Sequence, residues 1–233
     1  MTKFPAMIFA AGFGTRMRPL SDHRPKPLVE VAGRPLVEYA HDLLTSAGVG
    51  PIIVNAHYHS AQIVDHFSDR EIQVIVEETL LDTGGGLKNA LPYFEERDVI
   101  TLNSDAIWTG SNPVNALTRI WSPDKMDALL VLVPKEQAHG YEGAGDVHLD
   151  LEGRVQFREK DADHAPFVFT GLQVMNSEIA QNYSKKVFSL KDLWTVSSMN
   201  NRLYGYVHTG GWADVGRPDC IALAEALLQS HGH

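Results

Sequence analysis

"AMIFAAGFGTRMRPLSDHRPKPL", residues 6–28, opens on a short apolar run and passes into a stretch with two glycines, three prolines and four cations set against one acid. The run at 6–10 is long enough for a buried strand and too short for a helix. A glycine-rich loop directly after a first strand lies at that strand's carboxyl end, where an open parallel sheet binds its ligands. Gly12 and Gly14 let backbone amides approach an anion, while Arg16 and Arg18 bring forked guanidiniums. Lys26, between Pro25 and Pro27, adds a point charge on a stiffened backbone. The loop reads as a polyphosphate cradle; the plainer alternative is a solvated turn.

The rest of the chain alternates apolar and amphipathic segments. Runs at 51–56, 72–78, 98–105 and 127–134 are rich in Val and Ile and read as buried strands. Between them, 35–48 places Leu36, Tyr39, Ala40, Leu43, Leu44 and Ala47 at helical spacing and stops at Gly48. Shorter helical segments lie at 60–69 and 84–94. This alternation predicts a layered α/β domain, a parallel sheet with helices on both faces. After about residue 140 a hairpin is expected at 145–161, turning at Glu152 and Gly153, then a strand at 166–175 and a helix at 186–200. A strand at 203–216 and a helix at 218–230 complete the reading. No linker or repeat divides the chain, so 1–233 is expected to form one domain.

Composition makes the cationic loop an exception. The 233 residues carry 29 acidic groups against 20 Lys and Arg, a formal charge of −9, which excludes a general binder of nucleic acid or membrane surfaces. Cys220 is the single cysteine, so an intrachain disulfide and a zinc–cysteine site are excluded and a reducing cytoplasm is the expected setting. The first apolar run is too short for a membrane span or a signal segment. His57 and His59 lie two apart with no third ligand at usable spacing, and read as surface groups rather than a zinc site.

The loop is not a Walker loop, since no Gly-Lys-Ser/Thr follows, and not G-x-G-x-x-G. Its long, gapped pattern, "AAGFGTRMRPL" followed by "PKPL", resembles the signature of the sugar-1-phosphate nucleotidyltransferases. "DTGGGLKNAL" (82–91), "LNSDAIW" (102–108), "FREKD" (157–161), "FTGLQVM" (169–175) and "GGWADVGRP" (210–218) follow in the family's order. The resemblance covers nearly the whole chain. It implies a Rossmann-like mixed, mainly parallel sheet flanked by helices, the GT-A-like fold of nucleotide-diphospho-sugar transferases. A nucleotide-binding half is then expected at about 1–134 and a sugar-phosphate-binding half at about 135–233. It also implies a reaction in which a nucleoside triphosphate and a sugar 1-phosphate become a nucleotide sugar and pyrophosphate. Such a displacement needs positioning and charge neutralisation rather than a covalent nucleophile.

Carried over residue by residue, the resemblance implies nucleotide contacts at Ala10, Ala11, Gly12, Gly14, Thr15, Arg16, Lys26, Glu77, Gly84, Gly85 and Asn103. Asn103, Asp146, Glu159, Lys160 and Gly171 match positions that hold the sugar phosphate. Asp105 ends one apolar strand and Asp214 follows another; both match the ligands of a Mg²⁺ ion, a hard cation suited to carboxylate, phosphate and water oxygens. Arg16, Lys26, Asp105 and Asp214 are the expected catalytic set. Plainer alternatives are turn capping for the two aspartates, helix-on-sheet packing for Gly84–Gly86 and solvated charge for Glu159 and Lys160. "EKD" and "FTG" depart from the family's usual Glu-Lys-Pro and Asn-Gly or Ala-Gly.

Within the family, the compact length with "TGGG", "GDVHLD" and "WADVGRP" is most similar to the N-acetylmuramate 1-phosphate uridylyltransferases of bacterial cell-wall recycling. UTP and N-acetylmuramate 1-phosphate are the substrates this implies, with a mannose- or heptose-1-phosphate guanylyltransferase as the alternative. A non-catalytic, nucleotide-binding regulatory subunit is a further alternative, expected to lack loop cations or metal carboxylates that are present here. The expected partners are the triphosphate and the sugar 1-phosphate, with no nucleic acid and no membrane, and the expected state is a monomer or small homo-oligomer.

Overall fold

The apolar runs of the first half form the parallel part of a nine-stranded mixed sheet. The computed structural model describes residues 4–159 and 161–231. Its strands are β1 (Ala6–Phe9), β2 (Glu30–Val31), β3 (Arg34–Pro35), β4 (Ile52–Ala56), β5 (Gln73–Val76), β6 (Asp98–Asn103) and β7 (Ala106–Trp108). They continue with β8 (Ala128–Pro134), β9 (Ala138–His139), β10 (Val147–Leu149), β11 (Val155–Phe157), β12 (Phe167–Asn176), β13 (Leu203–Val207) and β14 (Trp212–Asp214). The helices are α1 (Leu36–Thr45), α2 (Ser60–His66), α3 (Asp82–Ala90), α4 (Pro113–Ile120), α5 (Glu178–Gln181), α6 (Leu190–Met199) and α7 (Cys220–Ser230).

Strands β6, β1, β4 and β5 are parallel neighbours, with Ile8 opposite both Val54 and Leu102. Successive side chains leave opposite faces, which explains why these strands read as unbroken apolar runs. Ile8, Val54 and Leu102 pack with Val37 of α1, Ile63 of α2 and Leu117 of α4. Met7 and Ile53 pack on the other face with Leu87 of α3 and Leu193 of α6.

The second half adds antiparallel strands. β12 pairs with β6 along Leu172–Asn176 and with β8 on its opposite edge, and β13 then runs parallel to β8. Toward its start β12 pairs with β10 through Phe167 instead of β6. Its register slips between Phe169 and Gln173, where Gly171 has φ of +88°. At this change of neighbour Gly171 lies against Asn103, at the end of β6.

Two expectations are corrected. The segment 203–216 is not one strand: β13 belongs to the large sheet, and β14 to a separate three-stranded sheet, β7–β14–β9. α7 closes that small sheet through Ala224, Leu227 and Leu228, against Ile107 and Ala213. The third helix runs Asp82–Ala90, two residues earlier than the expected start at 84, so its glycines follow its first residues rather than opening it. α4 is absent from the expected helices, although its start carries Asn112, whose side chain accepts from Val114 N–H at 2.9 Å, and Pro113 at the first helical position.

Candidate active site

The carboxyl ends of β1, β4 and β6 are in register, with Phe9 level with Asn55 and Asn103. These strand ends border a cavity of about 490 Å³. Ala10, Ala11, Gly12, Gly14 and Lys26 line it on one side, Asn103, Ser104 and Asp105 on another, and Leu80, Asp82 and Thr83 on a third. The volume suits a small organic ligand. Ser104 Oγ donates to Phe9 O at 2.7 Å and Ser21 Oγ to Gly14 O at 2.8 Å, so side chains from the site hold the loop's carbonyls. Met17, fully buried among Val31, Leu36 and Ala224, pins the loop from below.

Asp105 lies where β6 gives way to β7, at the step from the large sheet to the small one. β14 pairs antiparallel with β7, which sets Asp214 opposite Ala106, and Val215 N–H donates to Asp105 O at 2.8 Å. The two aspartates, remote in sequence, are thereby neighbours. Burial first, and then the charge of Asp105, push the Asp214 carboxyl from its ordinary 3.8 up to about 6, against the opposing pull of Lys26, Arg16 and Arg217. Lys26 Nζ sits 2.6 Å from Asp105 Oδ2 with its side chain only 12% exposed. A half-buried carboxylate pair that repels itself fits a divalent cation, which relieves the repulsion directly. Among the described residues, the group of three or more His, Cys, Asp or Glu with converging ligand atoms is a different one, Glu38, His41 and Asp42 on α1. There Glu38 is already held by Arg70 at 2.7 Å and His66 at 2.5 Å.

Several expected residues sit differently from their sequence reading. Thr15 and Arg16 occupy an exposed turn outside the cavity lining, although Arg16 still acts electrostatically on Asp214. Arg18 turns to Asp22 at 3.3 Å rather than toward the cavity. Gly84 and Gly85 do not line the cavity: a β-carbon on Gly84 would strike the Phe188 ring at 2.3 Å, and one on Gly85 would strike Lys186 O at 2.4 Å. They permit close packing of α3 against 186–188, and the cavity is reached instead by Leu80, Asp82, Thr83 and Val187. Glu77 lines the cavity, but both its oxygens accept hydrogen bonds from the protein. His57 Nδ1 meets Glu77 O at 2.8 Å and His59 Nε2 meets Asp22 O at 3.2 Å, so both brace loops.

On the acceptor side, Gly171 borders Asn103: a β-carbon there would lie 2.7 Å from Asn103 Nδ2. Asp146 accepts from Tyr141 Oη–H and Phe169 N–H, each at 2.9 Å, so its carboxylate ties the 141–146 loop to β12. Burial, with that hydrogen bond, pushes the Tyr141 hydroxyl up to about 12, which keeps it a donor. Glu159 is exposed just past β11, and Lys160 lies outside the described residues. Gly171→Ala is expected to lower stability by about 1–3 kcal/mol, through its positive φ and the contact with Asn103. Thermal denaturation would read this as a fall of several degrees; an unchanged midpoint would refute the close contact.

The sequence reading did not name Asn55, which lines the cavity and accepts from Ala10 N–H at 2.8 Å.

A glycine-loop cradle, a buried lysine and a paired carboxylate at the edge of a mixed, largely parallel sheet define a nucleotidyltransferase site. Residues 5–231 match the nucleotidyl transferase family, and the chain belongs to it. It is 38% identical to the N-acetylmuramate alpha-1-phosphate uridylyltransferase of Caulobacter vibrioides, over 96% of each chain. It is 30% identical to the enzyme of the same name from Neisseria meningitidis, over 95% of this chain and 97% of that one. The fold matches that of a putative glucose-1-phosphate thymidylyltransferase from Bacillus anthracis with a TM-score of 0.82, at 15% identity over 99% of this chain and 97% of that one. The protein is a sugar-1-phosphate nucleotidyltransferase. Among the described residues, no helix is long and apolar enough to cross a membrane.

Proposed function

We propose that the protein transfers the uridylyl group of UTP to N-acetylmuramate 1-phosphate, in a Mg²⁺-dependent reaction that releases pyrophosphate. The observation that supports the chemistry is Lys26 and Asp105 lining the cavity beside the glycine loop, with Asp214 close enough to feel both charges. The choice of base and sugar is supported by similarity to the two uridylyltransferases.

The amides of 11–14 receive the triphosphate, and Lys26 and Arg16 neutralise charge that grows on the departing pyrophosphate. Asp105 and Asp214 hold the cation, which when bound offsets phosphate charge and polarises the group under attack. Asn103 and the backbone beside it at Gly171 receive the sugar phosphate, whose oxygen attacks the α-phosphorus in line as pyrophosphate leaves. The phosphate oxygen is itself the nucleophile, so no protein group forms a covalent bond. This reading puts the protein in cell-wall sugar recycling in the cytoplasm, as a monomer or small homo-oligomer.

A matrix of UTP, GTP, CTP and dTTP against several sugar 1-phosphates, followed by pyrophosphate release, tests it. UTP with N-acetylmuramate 1-phosphate is expected to show the highest kcat/KM, and omission of Mg²⁺ is expected to abolish release. A preference for GTP would overturn the uridylyl assignment, and no release with any pair would overturn transfer altogether.

A further inference from the structure

Beneath the cavity runs a buried chain of hydrogen bonds that no catalytic role explains. Ala10 N–H donates to Asn55 Oδ1 at 2.8 Å, Asn55 Nδ2–H donates to Glu77 Oε1 at 2.7 Å, and Leu81 N–H donates to Glu77 Oε2 at 3.0 Å. Asn55 and Glu77 are each 4% exposed. The amide can face only one way, because the Ala10 N–H needs an acceptor and only Oδ1 supplies one. Gly86 roofs the chain: a β-carbon there would lie 2.9 Å from both Asn55 Nδ2 and Glu77 Oε1.

The two ends of this relay are two walls of the cavity. Ala10 begins the phosphate loop with Ala11 and Gly12, while Leu81 sits among Leu80, Asp82 and Thr83 on the opposite wall. The walls follow β1 and β5, which each pair with β4 but not with each other, so beyond the strand ends their spacing depends on the side chains that bridge them across β4. A fully satisfied polar chain fixes that spacing more sharply than apolar packing, because each link has one geometry.

We propose that Asn55 is a positioning residue for the nucleoside triphosphate: through Glu77 it sets the distance between the phosphate loop and the opposite wall, so that both engage one ligand. This rests on the reading of the cavity as the triphosphate site. It gives Glu77 the role of a link rather than a direct contact with the base, and it gives Gly86 its reason for lacking a side chain.

Polarity supplies the test. Asn55→Asp sets a carboxylate against the Glu77 carboxylate, and Glu77→Gln cannot accept from both Asn55 and Leu81. The double variant restores every link in reverse. The carboxylate introduced at position 55 accepts from Ala10 N–H and from the amide introduced at position 77, and the oxygen of that amide accepts from Leu81 N–H. Binding of UTP in Mg²⁺ is measured by calorimetry well below each variant's melting temperature, with GTP in parallel and with kcat at saturating substrate. Each single variant is expected to weaken UTP binding by about tenfold or more while changing kcat by less than about threefold. The double variant is expected to return to within about threefold of the wild type. Single variants that bind UTP as the wild type does, or a double variant no better than the weaker single one, overturn the relay alone. A wild type that binds neither UTP nor GTP overturns the triphosphate reading and the relay with it.

Discussion

Asp214→Asn is expected to lower kcat by about a thousandfold or more and, in the absence of metal, to raise the melting temperature. The two effects share one cause. Burial and the Asp105 charge hold the Asp214 carboxyl at about 6 against an ordinary 3.8. Since the folded value lies above the unfolded one, the carboxylate opposes folding fully above pH 6, and this opposition disappears as pH falls through that window toward 3.8. At neutral pH the opposition is on the order of 3 kcal/mol, worth several degrees in melting temperature. Asn keeps the shape and removes the charge. The wild type, by contrast, is expected to be stabilised by added Mg²⁺, and Asp214→Asn much less so. Thermal melts at pH 7 with and without Mg²⁺, beside pyrophosphate release, check both halves. Near-wild-type turnover would sink the metal assignment; an unchanged metal-free midpoint would sink the electrostatic account. Asp105→Asn is expected to lose activity equally without gaining stability, because it deprives the largely buried Lys26 ammonium of its partner.

Lys26→Ala is expected to reduce kcat by about a hundred- to a thousandfold, and to lower rather than raise stability. The ammonium 2.6 Å from Asp105 is among the cations that offset the repulsion at Asp214, so its removal leaves the carboxylate pair less compensated. Lys26→Arg is expected to recover little, because a broad planar guanidinium does not fit the slot of a compact ammonium. Gly14 packs against the root of that side chain, where a β-carbon on it would lie 2.9 Å from Lys26 Cβ. Steady-state kinetics of the two variants measure this, and wild-type turnover in Lys26→Ala would give the loop another role.

Much of the fold was legible because a period of two or of about 3.6 is a local property of the chain. Met7 and Ile8 face opposite cores in a strand only four residues long, and the run at 6–10 required both to be apolar. The antiparallel half was less legible. The single strand expected at 203–216 breaks where the chain passes from the large sheet to the small one, and nothing in its apolar pattern distinguishes the two sheets. Within the site, Lys26, Asp105 and Asp214 were legible as motif residues. Asn55 was not, because a buried amide is recognisable only once the N–H it serves is in place. Gly84 and Gly85 illustrate the reverse error. Glycines at a helix start suit a ligand, but here the neighbour that needs their missing side chains is the protein's own 186–188 segment.

By itself, then, the sequence determined the elements, the glycine loop and the motifs shared with the family, since each depends on residues close together along the chain. Only the tertiary structure decided how those residues combine. Lys26 and Asp105 lie 79 residues apart and meet at 2.6 Å, Asp214 joins them through the register of β14 on β7, and Asn55 meets Glu77, 22 residues further on, at 2.7 Å. The physical reason is that charge interactions, desolvation and hydrogen-bond satisfaction depend on distance in space, and strand register sets that distance between segments whose local patterns carry no record of each other.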